Sequence, residues 1–134
     1  MNNKVRIFTT ALLVAGSSLA MNLAHAQLAG TSRVDVLQHD LHEHGQEVVQ
    51  ARVAIDVGVK SINHSHPGAE IAYVLEGTLE YTIEGKPPVT LKPGEAVFIP
   101  AGANHIAKNV GNVKAVELAT YLVAKGKPLL VPAN

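Results

Sequence analysis

At 134 residues, with 11 basic and 11 acidic side chains, the chain is long enough for one domain and too short for two. A formal net charge of zero offers no general attraction to DNA, RNA or anionic lipid. The absence of cysteine excludes a structural disulfide, a thiolate metal site, a lipid-bearing cysteine and a cysteine nucleophile.

Lys4 and Arg6 precede an apolar run centred on residues 11–16, and Ala24-His25-Ala26 forms a small-x-small cleavage site. Residues 1–26 are therefore expected to be a secretory signal peptide, because the run is too short for a comfortable membrane span. The mature protein would begin at Gln27, slightly acidic and periplasmic or secreted, with neither membrane nor nucleic acid among its partners. Arg6 stands alone, so no twin-arginine signal is present and export in the unfolded state is expected.

Residues 27–46 read as an N-terminal segment and loop. Arg33 to Leu37 alternates weakly as an opening strand, and Gln38 to Gln46 is polar. That stretch holds His39, His42 and His44 but no turn or carboxylate to complete a ligand set. It reads as a solvated loop, with adventitious zinc or copper binding as the alternative.

A barrel is expected over residues 47–124. Glu47 to Val57 alternates clearly, with Val49, Ala51, Val53, Ile55 and Val57 on the face to be buried. Gln50 and Arg52 lie opposite, on a face that lines a barrel mouth, forms a dimer edge or meets water. Further strands are expected at Thr78 to Ile83, Val89 to Leu91, Ala96 to Ile99, His105 to Val110 and Ala115 to Val123. Gly, Pro and Asn turns separate them, and residues 125–134 close the chain as a tail. Short strands with no helical period argue an all-β fold and leave sandwich and barrel open.

Chemistry concentrates between Gly58 and Gly77, where His64, His66 and Glu70 fall within seven residues. In extended chain, His64 and His66 point to the same side. Pro67 and Gly68 supply a turn that returns Glu70 toward both. Two imidazoles and a carboxylate suit Fe, Mn, Ni, Zn or Cu, and His105 is the best candidate for a fourth ligand. With Glu70 and His105 inward, alternation also turns Ala72, Val74, Ala107 and Asn109 inward. The expected pocket is thus mostly small and apolar, with Asn109 as its amide. Tyr81, Gln50 and Arg52 are further candidate substrate contacts, against packing for Tyr81 and a surface position for Arg52.

The spacing G-x5-H-x-H-x3-E-x6-G holds from Gly58 to Gly77, and G-x5-P-x-G-x2-H-x3-N from Gly94 to Asn109. These resemble the two signature motifs of the cupin superfamily, with no position substituted. The resemblance implies a single double-stranded β-helix, the jelly-roll barrel, holding one divalent transition metal per chain whose identity stays open. It also implies a small-molecule ligand or substrate and a homodimer.

No second carboxylate, Ser or Lys is evidently placed as a general acid or base. Turnover would then rest on the metal as Lewis acid or redox centre, with Glu70 doubling as a base. The expected function is a metal-dependent enzyme of dioxygenase type, an oxidoreductase acting on a small organic molecule. The alternatives are an isomerase or decarboxylase, or a non-catalytic binding cupin.

Overall fold

A computed structural model describes residues 28–42 and 45–134. The signal peptide and His44 lie outside the described residues. Ten strands follow in order: β1 (Thr31–Leu41), β2 (Gln46–Ile55), β3 (His64–Ser65), β4 (Ala69–Glu76), β5 (Leu79–Ile83), β6 (Val89–Leu91), β7 (Ala96–Ile99), β8 (His105–Asn109), β9 (Ala115–Ala124) and β10 (Val131–Pro132). They form two five-stranded antiparallel sheets, β1-β2-β9-β4-β7 and β10-β3-β8-β5-β6. This is the all-β jelly roll that the motif pair implies.

Alternation builds the interior. Ile55, Ala72, Val74, Leu79, Ile83 and Ile99 from both sheets meet in one buried cluster. Each large aliphatic among them contributes about 1.5–3 kcal/mol by leaving water. A second cluster, Val49, Ala51, Ala119, Tyr121 and Val123, lies on the buried face of the paired strands β2 and β9. Val57 is exposed instead of buried, because β2 ends at Ile55 and the chain turns before reaching it.

Two differences from the expected layout bear on the site. First, β1 runs on to Leu41 and pairs with β2 along its length, with a bulge between Asp35 and Leu37. Its residues are mostly exposed, as befits an edge strand, which is why the polar stretch resembles a loop. His39 is therefore an exposed strand residue, and His42 is exposed beside it. Second, the C-terminal residues are not loose: β10 pairs with β3 beside His64.

Gly68 illustrates how tightly the first motif is folded. A Cβ there would lie 1.9 Å from the Leu122 carbonyl oxygen, so no other residue fits without moving β9. The turn at Pro67-Gly68 is thereby pressed against the neighbouring sheet, and it carries the chain from His66 to Glu70.

Candidate metal centre

His64 and His105 are direct partners across β3 and β8, with ring centroids 4.3 Å apart. His66 follows β3 by one residue, and its ring lies 4.9 Å from His64 and 5.2 Å from His105. Ahead of His105, Gly102 takes a φ of 74° and donates its N–H to the His66 carbonyl at 2.9 Å. That bond ties the second motif to the first. Glu70 comes from the opposite sheet, and one of its oxygens lies 3.1 Å from His66 Nε2 and 3.2 Å from His105 Nε2. All four side chains are buried.

The tautomers follow from the partners. Nδ1 of His64 faces the Ile62 carbonyl at 2.8 Å, Nδ1 of His66 the Leu129 carbonyl at 2.5 Å, and Nδ1 of His105 the Ala103 carbonyl at 3.0 Å. A carbonyl only accepts, so each Nδ1 carries the proton and each neutral Nε2 presents a bare lone pair. The approach of Glu70 to His66 Nε2 is then lone pair against lone pair, and neither atom has a hydrogen-bond partner. A cation resolves this, either a shared proton or a metal. Among the described residues, His64, His66 and His105 are the group whose ligand atoms lie within 4.8 Å of one another and could hold a metal ion.

Electrostatics point the same way. Burial, with the other two imidazoles, pushes His64 down to about 4 against the opposing Ile62 bond, which keeps it neutral. Burial works against Glu70 ionising, but His105 and then His66, once a proton is shared at Nε2, outweigh it and hold the carboxyl at about 2. His105 is opposed by burial and raised overall by Glu70.

The four side chains face a cavity of about 950 Å³ between the sheets, a size suited to a small organic molecule. β1 forms part of its wall through Thr31, Arg33 and Asp35, and the tail closes it through Leu129 and Leu130. Tyr81 lines it as well. Three other candidates do not. Asn109 is spent on structure: its amide N–H groups go to the Ile55 and Val113 carbonyls, and its oxygen accepts from Gly111 N–H. Gln50 bonds the Thr120 hydroxyl at 3.0 Å on the outward side of β2. Arg52 is half exposed and faces Glu76 at 3.5 Å.

Two residues of β9 enter unannounced. Tyr121 packs against His66 with centroids 4.7 Å apart and the rings tilted by 58°, and the Arg33 guanidinium sits 5.6 Å above the Tyr121 ring. Glu117 lines the same cavity and accepts a hydrogen bond from the Tyr81 hydroxyl. A second carboxylate therefore reaches the cavity, where none was evident from the sequence. The available signal was a lone acid inside the largely apolar strand from Ala115 to Val123.

A family model described as the cupin domain matches residues 51–126. The chain belongs to the cupin family. Among curated proteins, this cupin is 44% identical over 45 residues to the dimethylsulfoniopropionate lyase DddQ of Ruegeria pomeroyi, covering 34% of this chain and 22% of that one. It is 34% identical over 64 residues to an uncharacterised protein of Methanocaldococcus jannaschii, covering 47% and 50% respectively. The cupin thus matches half or less of the length of either curated relative. The crystal structure of the Ruegeria lyase is similar with a TM-score of 0.58 and 28% identity, over 64% of this chain and 43% of that one. A recombinant oxalate oxidase in complex with glycolate gives a TM-score of 0.63 and 25% identity, over 79% and 56%. The two solved relatives share the cupin fold with this chain and differ from each other in reaction by name.

Proposed function

We propose that this cupin is an enzyme holding one divalent transition metal per chain through His64, His66, His105 and Glu70, and that it acts on a small oxygen-bearing organic molecule. The observation that carries the reading is the convergence of three buried imidazoles, each with Nδ1 turned to a backbone carbonyl, and a buried carboxylate on a cavity of ligand size. Bound there, the metal supplies Lewis acidity that polarises a substrate oxygen. The chain's own residues do the rest. The carbonyls behind the imidazoles fix their orientation, Glu70 balances the charge, and the apolar walls exclude water.

The favoured reaction class is non-oxidative, a proton transfer that cleaves or rearranges a small organic acid. Two things support it: the acid–base pair of Glu117 and Tyr81 beside the ligand cluster, and the likeness to a lyase in both sequence and structure. Oxidation of dioxygenase type is the second reading, favoured by the likeness to oxalate oxidase bound to glycolate. Metal identification followed by parallel screens separates them. Small hydroxy, keto and β-substituted carboxylates are followed for oxygen uptake and for unsaturated or isomerised product. Product without oxygen uptake is expected. Oxygen uptake that tracks substrate loss would move the assignment to oxidation.

The molecule is further proposed to be exported through residues 1–26 and to pair as a homodimer. The outward face of the β4–β7–β9 side presents Ile71, Tyr73, Phe98 and Leu122, all exposed apolar groups on neighbouring strands. A second copy of the same face would cover them.

A further inference from the structure

We infer that Glu117, held by Tyr81, is a catalytic residue of this cavity: it takes a proton from, and returns it to, a carbon adjacent to a carbonyl of a small organic acid. The inference rests on the metal-dependent reading and deepens it by naming the group that moves the proton.

Glu117 stands on β9 in one sheet and is 5% exposed, and Tyr81 stands on β5 in the other and is 1% exposed. Their hydrogen bond therefore spans the barrel interior, and both side chains line the cavity that His64, His66, His105 and Glu70 also line. Among the described residues, no Lys, Arg or His lies within ion-pair distance of Glu117. A carboxyl buried against a single phenol is a costly way to join two sheets, since Gln would accept the same hydrogen bond without a charge to desolvate. What Gln cannot do is exchange a proton.

Electrostatics agree with the placement. In the metal-free protein burial first, then the negative Glu70, raise Glu117 to about 8, against the opposing hydrogen bond from Tyr81 and the pull of His105. A carboxyl poised near neutrality gives up and recovers its proton readily. Tyr81 is itself raised, chiefly by burial and then by Glu117, so it remains a phenol and donates.

The step balances without an oxidant. The Glu117 carboxylate accepts the proton of a C–H bond next to a carbonyl. The electron pair of that bond moves toward the carbonyl oxygen as an enolate, and return of the proton from the Glu117 carboxyl restores the C–H bond. In deuterated water the returning proton is a deuteron.

The test uses pyruvate as probe and full-length protein loaded with Zn2+, which has no redox chemistry of its own. Loss of the pyruvate methyl signal is followed by proton NMR in deuterated water. Wild-type protein should exchange, and Glu117→Gln should exchange about 100-fold more slowly or worse, with unchanged zinc content and pyruvate affinity. Equal rates in the two proteins would overturn the assignment. So would wild-type protein that binds zinc and pyruvate without exchange. Should Glu117→Gln not fold, Tyr81→Phe decides. Removing the phenolic donor leaves the carboxylate in place and must shift the exchange rate, so an unchanged rate contradicts the role. Metal content on the same samples separates the two failures. Wild-type protein without metal contradicts the metal-dependent reading, whereas metal without Glu117-dependent exchange contradicts this inference alone.

Discussion

Each imidazole of the centre has one nitrogen committed to a backbone carbonyl, and that commitment leaves the other as a bare donor aimed at the cavity. Protons compete for the same lone pairs, so pH sets both metal affinity and stability. In apoprotein the signs differ by residue. His64 is lowered from 6.5 to about 4, so between those values the unfolded chain binds more protons and stability rises with pH. Glu117 is raised from 4.5 to about 8, so between those values the folded chain binds more protons and its contribution is lost as pH rises. Glu117→Gln removes only the second effect. The stability of the variant relative to wild type should therefore climb as pH rises from about 4.5 to about 8, by at most about 1.4 kcal/mol per pKa unit. Urea denaturation of both apoproteins across that range checks this, and parallel curves would show that Glu117 does not titrate as described.

Strands position these groups in ways that differ in how far sequence reveals them. His64, His66, Glu70 and His105 were legible because alternation fixes the faces of His64 and His66, and Pro67-Gly68 forces the return that brings Glu70 back. The face of Glu117 was not legible. Apolar residues occupy both faces of β9, and only its register with β2 and β4 turns Glu117 and Tyr121 inward. Asn109 was read correctly as inward, yet three hydrogen bonds to the chain consume its amide, and alternation carries no information about partners. The extent of β1 was hidden for another reason: an exposed edge strand has no buried face to impose a period. The tail was hidden likewise, since two residues of β10 leave no pattern. It nonetheless orients a ligand, because the Leu129 carbonyl fixes the His66 ring. A chain ending at Pro128 should keep the barrel and lose about 10–100-fold in metal affinity, read by chelator competition. Unchanged affinity would mean the His66–Leu129 bond does not orient the ligand.

For the whole molecule, a barrel whose Glu117–Tyr81 pair and ligand cluster each draw on both sheets needs little more than closure at its ends. The outward apolar face, with Phe98 55% exposed on the edge strand β7, predicts a two-chain particle by light scattering. Phe98→Asp should convert it to a monomer with its metal content intact, whereas a monomeric wild-type protein would contradict the pairing. Intact mass of the exported chain should correspond to a start at Gln27. The measurement that bears most directly on the central claim is metal stoichiometry by elemental analysis. Wild-type protein is expected to retain about one transition-metal ion per chain, following the three-imidazole, one-carboxylate donor set, and the His64→Ala, His105→Ala double variant essentially none. Equal metal content in the two proteins would contradict the centre described.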